Sequence, residues 1–156
     1  MIEVTIPGYK TLRLAHLVMD YNGTMACDGH LIGGVREKLE TICRQLEIHV
    51  ITADTFGKAR SQLAGVPAVL SILPEADQER GKLDYIRKLG EDSVVAVGNG
   101  RNDKLMLKEA QLGIALIQEE GACVETVMAA DMVCPDILSA LSLLTNTGRL
   151  IAGLRR

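Results

Sequence analysis

Four short stretches of this 156-residue chain carry residue types that could do chemistry. The first is Asp20-Tyr21-Asn22-Gly23-Thr24. A carboxylate placed directly after an apolar strand can act as a nucleophile or a metal ligand. Gly23 lets the chain turn sharply, and Thr24 can hydrogen-bond back to the turn. The second is Thr52, which closes Ile48-His49-Val50-Ile51 and offers a hydroxyl where a phosphate oxygen could dock. A threonine there equally suits a helix cap, and Asp54 shares that ambiguity. The third is Gly98-Asn99-Gly100-Arg101-Asn102-Asp103, in which two glycines permit close backbone approach and Asp103 lies near a helix start. It is not a dinucleotide fingerprint, because Asp103 stands where the third glycine would be, and the chain has no G-x-x-x-x-G-K-[ST] loop. An acid beside backbone amides suits Mg²⁺ with a phosphate. The fourth is a cation: Lys82 opens a helical stretch, with Arg80 and Arg101 as competitors and a solvated helix face as the plain reading.

The elements around these residues determine whether they can meet. Alternation over Ile2–Ile6, the Pro7-Gly8 turn and the run Leu12–Met19 predict a small hairpin leading into a buried strand. A Gly- and Asp-containing stretch to Gly34 follows, with room for a flap over Met25–Ile32. Val35, Leu39, Ile42 and Leu46 recur at helical spacing. Strand Ile48–Thr52, a helix from about Phe56 to Ala64, strand Ala68–Leu73 and a helix over Gln78–Leu89 stopped by Gly90 come next. Strand Val94–Val97 leads to the glycine loop and a helix to about Ala110. Strand Ile114–Ile117, helix Cys123–Ala129, strand Met132–Val133 and one or two helices complete the pattern. Strand–helix alternation of this kind predicts an α/β fold: a three-layer, doubly wound, mostly parallel sheet. In such sheets ligands sit outside the carboxyl ends of the strands, where Asp20, Thr52 and the Gly98–Asp103 loop fall.

Composition removes several function classes. Aromatic residues make up 3% of the chain, with no Trp, which argues against base-stacking modules for RNA or single-stranded DNA. A net charge of −3 argues against a nucleic-acid backbone binder. No run approaches the roughly 18 apolar residues that cross a bilayer, and the N-terminus lacks a signal-peptide pattern. These observations predict a cytoplasmic protein without nucleic-acid or membrane partners. Cys27, Cys43, Cys123 and Cys134 show no C-x-x-C spacing and read as reduced structural thiols.

Taken in order, the four stretches resemble the haloacid dehalogenase superfamily of phosphohydrolases, and more closely its soluble P-type-ATPase-like members. Asp20-Tyr21-Asn22-Gly23-Thr24 is similar to the family's Asp-x-Asp-Gly-Thr motif. Thr52-Ala53-Asp54 resembles the Thr-Gly-Asp of P-type ATPases, Lys82 the motif-three lysine, and Gly98–Asp103 the Gly-Asp-Gly-x-x-Asp motif. The match spans about Leu14 to Asp136. The resemblance implies a Rossmann-like core and a phosphatase acting on a small phosphorylated substrate through an aspartyl-phosphate on Asp20. It implies catalytic roles for Asp20, Asn22, Thr52 and Lys82. It implies phosphoryl binding by Gly23, Thr24, Thr52, Ala53, Lys82 and Asn102, and Mg²⁺ held by Asp20, the Asn22 backbone carbonyl, Asn99 and Asp103. Positioning and charge are most of phosphoryl-transfer catalysis.

Two departures from the family pattern matter. Asn22 stands where the family's phosphatases carry a general acid/base, and an amide cannot shuttle a proton. Such help contributes about 10²–10⁴-fold, so slow turnover is expected. Asn99 replaces an acid in motif four, removing a charge from the metal site. One alternative is therefore a catalytically attenuated phosphate-binding or regulatory protein on the same fold. Another is an unrelated flavodoxin-like or response-regulator-like module. Only 32 residues separate Asp20 from Thr52 and 30 separate Thr52 from Lys82 (52 − 20 and 82 − 52), too few for a cap domain. A single domain over 1–156 is expected, its open site closed by the flap (about 25–33), a large substrate or a neighbouring copy in a homo-oligomer. His16 and His49 read as packed core residues, and His30 in the flap as an exposed residue within reach of a substrate.

Overall fold

In the computed structural model, which describes residues 1–54 and 57–156, six strands form one parallel sheet. A hairpin precedes it: β1 (Ile2–Thr5) pairs antiparallel with β2 (Thr11–Leu14), with alternate residues buried as period-2 patterning requires. The sheet itself contains β3 (His16–Asp20), β6 (Glu47–Thr52), β7 (Val69–Ile72), β8 (Val94–Gly98), β9 (Leu112–Leu116) and β10 (Met132–Cys134). Its spatial order is β10-β9-β8-β3-β6-β7. Counting only sheet strands along the chain, that order is 3-2-1-4-5-6 from the β7 edge, the Rossmann arrangement. A flavodoxin-like module has the order 2-1-3-4-5, so the strand order rules out that alternative.

β8 and β9 are buried along their whole length, because helices cover both faces. On one face, the stripe Val35, Leu39 and Ile42 of α1 (Val35–Ile42) packs with α6 (Ile137–Thr145), and α7 (Thr147–Leu154) continues this layer. Burying each such side chain contributes about 1.5–3 kcal/mol. On the other face, α3 (Gln78–Leu89), α4 (Lys104–Glu109) and α5 (Val124–Ala129) enclose a smaller core around Val18, Ile51, Ile86 and Met106. No single helix among the described residues is long and apolar enough to cross a membrane.

The run Leu12–Met19 holds both the second hairpin strand and the start of the parallel sheet, as the hairpin-into-strand reading expects. At Ala15 the chain changes partners: its N–H donates to Ser93 O and its carbonyl accepts from Glu47 N–H. The helix expected from about Phe56 is described only as the single turn α2 (Ala59–Gln62); Phe56 lies outside the described residues. The flap is a miniature hairpin, β4 (Ala26–Cys27) with β5 (His30–Leu31), turned through Asp28 and Gly29 at φ 50° and 80°. Tyr21 Oη donates to Gly29 O at 2.9 Å and pins this hairpin to the end of β3.

Candidate active site

The strand order reverses direction between β3 and β8, and a crevice opens at their carboxyl ends. A cleft of about 340 Å³ sits there, lined by Asp20, Asn22, Thr52, Ala53, Lys82 and the 99–102 loop. Three chain segments far apart in sequence supply its charged centre. Lys82 Nζ lies 2.8 Å from Asp20 Oδ1, 2.7 Å from Asp103 Oδ1 and 3.0 Å from Asn102 Oδ1. An ammonium has three donors, and all three are used. Lys82 is 1% exposed and Asp103 fully buried, so the solvated-lysine reading does not hold. Of its competitors, Arg80 pairs with Asp84 on the exposed face of α3, and Arg101 pairs with Glu125 at the surface.

The electrostatics follow from two carboxylates sharing one cation in a desolvated site. Burial and the neighbouring Asp103 charge push the Asp20 carboxyl up to about 7, against the opposing pull of Lys82. Burial by itself favours neutral Lys82, but Asp103 and Asp20 together hold its pKa above the ordinary lysine value.

Asp103 also organises the loop that carries it. Its Oδ2 accepts from the backbone N–H groups of Asn99 and Gly100, each at 2.9 Å. Gly98 is required beneath it, because a Cβ at that position would stand 2.6 Å from the Asp103 carboxylate carbon. Gly23 is required for a similar reason: at φ 76° it passes so close to Asn99 that a Cβ would collide with the amide. Asn99 Oδ1 accepts from Thr24 Oγ1 at 3.2 Å, and its amide nitrogen donates to Gly121 O. Thr24 therefore bonds to the facing loop rather than back to its own turn. It is fully buried, so Thr24 and Gly23 shape the loop behind the cleft.

Thr52 is 2% exposed and accepts from Asp54 N–H at 3.0 Å, leaving its own O–H to donate. Asp54 turns away, its carboxylate capping α2 through Ala59 N–H at 2.9 Å. Asp54, rather than Thr52, thus satisfies the first amide of α2, whose N-cap position is Lys58. Ala53 lines the cleft beside Thr52, and Asn22 Oδ1 is buried with no hydrogen-bond partner among the described residues. An orphaned buried oxygen costs about 1–3 kcal/mol, and it suits a ligand that donates a proton or carries positive charge. His30 is exposed, 3.4 Å from Lys58 Nζ at the α2 side of the flap.

Two residues around the site escaped sequence reasoning. Gln78, at the first turn of α3, lines the cleft. Gln118, just past β9, donates from Nε2 to Gly23 O and Thr24 O at 2.9 and 2.7 Å and accepts from Ile137 N–H. It clamps the Asp20 loop to α6. Its only signal is position: a polar side chain just past a buried parallel strand.

Comparison with known proteins agrees with this architecture. No protein-family model matches the chain. It is 44% identical over 75 residues to the uncharacterized protein MJ0073 of Methanocaldococcus jannaschii, covering 46% of this chain and 81% of that one. It is 41% identical over 39 residues to MJ0072 of the same organism, covering 25% and 89%. Among solved structures it is similar to the cobalt-bound deoxy-D-mannose-octulosonate 8-phosphate phosphatase of Haemophilus influenzae. The TM-score is 0.71, identity 9%, and coverage 90% of this chain and 92% of that one. The 3-deoxy-D-manno-octulosonate 8-phosphate phosphatase of Moraxella catarrhalis, in complex with a magnesium ion, a phosphate ion and a KDO molecule, gives TM-score 0.67 and 16% identity over 89% and 92%. The catalytic domain of the CPx-ATPase CopB-B gives 0.61 and 21% over 74% and 47%. The fold is that of the haloacid dehalogenase superfamily.

Proposed function

We propose that this chain, which belongs to the same family as MJ0073 and has the haloacid dehalogenase fold, is a phosphohydrolase working through an aspartyl-phosphate on Asp20. The observation that carries this reading is the buried Lys82 bridging Asp20 and Asp103 at the strand-order reversal. An Asp20 oxygen attacks phosphorus, the bond to the leaving oxygen breaks, and water then attacks phosphorus to release inorganic phosphate and regenerate Asp20. Lys82 offers charge to the phosphoryl group by exchanging the Asn102 contact, which stands at the exposed mouth, while Asp20 and Asp103 keep its other two hydrogens. Thr52 O–H and the Ala53 backbone are placed to receive further phosphoryl oxygens, with Gly23 and Thr24 holding the loop.

Mg²⁺ fits the oxygen donors on this side. Asp20 and the orphaned Asn22 oxygen support it most directly, with Asn99 and Asp103 as the other two members of the proposed set. When bound, a divalent cation supplies positive charge to the phosphoryl oxygens. Asp103 contributes mainly charge, since each of its oxygens already has a partner. Asn22 cannot donate a proton, so the leaving group takes one from water and turnover is slow.

A cytoplasmic, single-domain protein acting on a small phosphorylated metabolite, closed by its flap or by a second copy, completes the proposal. Four free cysteines suit a reducing compartment, and exposed Val124 and Met128 on α5 offer apolar surface to another copy. A second reading, phosphate binding without turnover, is favoured by the two amides, Asn22 and Asn99. Phosphate release from a panel of phosphorylated metabolites with Mg²⁺ separates them. We expect release that disappears in Asp20→Asn. Tight phosphate binding with no Asp20-dependent release from any compound supports the second reading instead.

A further inference from the structure

β3 and β6 carry a second side-chain cluster at their amino-terminal ends, opposite the cleft. His16 opens β3 and pairs in register with Glu47, which opens β6. His49 lies two residues beyond Glu47 and therefore on the same face of the sheet. Their polar atoms converge: His16 Nδ1 is 3.2 Å from His49 Nε2 and 3.3 Å from Glu47 Oε2, while His49 Nε2 is 3.7 Å from Glu47 Oε2.

One proton on His16 Nδ1 can serve both neighbours, but His49 Nε2 and Glu47 Oε2 are then left facing each other as two electron pairs. A cation at the centre satisfies all three. Tetrahedral coordination at zinc bond lengths of about 2.0–2.1 Å separates ligand atoms by about 3.3–3.4 Å, whereas an octahedral face at those lengths gives about 2.9 Å. The observed edges fall around the tetrahedral value.

The surroundings are those of a metal-bound imidazole. His49 Nδ1 lies 3.0 Å from Tyr85 Oη, which Ser71 Oγ contacts at 3.3 Å, so the ring is oriented from behind with Nε2 turned to the cluster. His49 is 3% exposed, so its ring is held in place by packing as well as by Tyr85. Glu47, with more than half its side chain exposed, stands on the solvent side, where a fourth ligand can enter.

We propose that His16, Glu47 and His49 form a transition-metal site, selective for Zn²⁺-like cations over Mg²⁺, that fastens the amino ends of β3 and β6 and keeps a fourth position open. Two imidazoles with one carboxylate favour such ions over hard oxygen-seeking ones. The proposal is independent of the phosphohydrolase reading, since it uses none of the cleft residues.

The test is a titration of the metal-free full-length chain with Co²⁺ as spectroscopic probe, in excess Mg²⁺ to occupy oxygen-donor sites. We expect one Co²⁺ per chain with the intense visible absorption of tetrahedral coordination, displaced by one equivalent of Zn²⁺. Asp20→Asn should leave it intact, while His16→Ala and Glu47→Ala should each weaken it by roughly tenfold or more. The Glu47 side chain is exposed enough that its variant tests the site without testing the fold. Absence of the absorption, its survival in both variants, or its loss in Asp20→Asn overturns the proposal.

Discussion

The two ends of β3 and β6 make opposite use of buried polar residues. At the carboxyl end, one lysine is held between two aspartates, and each oxygen not taken by it faces backbone amides or the cleft. At the amino end, two imidazoles and a glutamate converge. The first end is a hard, oxygen-rich site with its own counter-charge; the second is nitrogen-rich and electron-rich. In this sheet, then, chemistry follows the ends of parallel strands rather than their middles. Side chains along β3 and β6 between these ends, such as Leu17, Val18 and Val50, are sealed under helices.

The largest effect expected at the carboxyl end comes from its cation. Lys82→Met leaves two buried carboxylates without their counter-charge and should destabilise the protein by about 3–5 kcal/mol, measured by denaturant unfolding. A loss below about 1 kcal/mol would show that the aspartates do not depend on Lys82. Next is Asn22→Asp, which restores a proton-carrying group two residues after Asp20. Phosphate release should rise by about 10²–10⁴-fold. No rise, despite an active natural protein, would show that the amide at Asn22 is not what limits turnover.

A smaller effect concerns pH. The Asp20 carboxyl is held at about 7 in the fold against 3.8 as an ordinary carboxylate. The native state therefore keeps a proton that the unfolded chain gives up. Its stabilising contribution is complete below about pH 4 and is lost as pH rises through about 7. Thermal melts of the metal-free natural protein, relative to Asp20→Asn, should show this decline. Added Mg²⁺ should offset it increasingly over the same range, because the cation takes the place of the proton. A Mg²⁺ effect independent of pH would separate Asp20 from the metal site. The amino end should show no such Mg²⁺ dependence, which makes it the internal control.

Much of this molecule is legible in its sequence, and the illegible part has a common cause. Val35, Leu39 and Ile42 announce α1 by spacing, and Gly90 ends α3 where it should. Asp20, Thr52 and the Gly98–Asp103 loop each follow a short apolar run, so their place at strand ends can be read residue by residue. Ala15 shows where such reading stops. It sits inside a continuous apolar-rich run, yet the chain there leaves a hairpin and enters a parallel sheet. Only its hydrogen bonds to Ser93 and Glu47 mark the change. Asp54 is similar: its residue type suits a ligand site as well as a helix start, and only the bond it accepts from Ala59 N–H shows that it serves α2.

The alternation of strands and helices, the burial of the central strands and the three polar stretches at their ends are all written in the sequence. They depend on periodicity and turn chemistry, which act over a few residues. Which of those stretches meet is settled by tertiary packing alone. Lys82 reaches across 62 residues to Asp20, and Gln118 across 95 to Gly23. His16 meets Glu47 because β3 and β6 are neighbours in one register. Strand order and register are set by how whole faces pack, and a shift of one residue would turn His49 to the opposite face and dissolve the cluster.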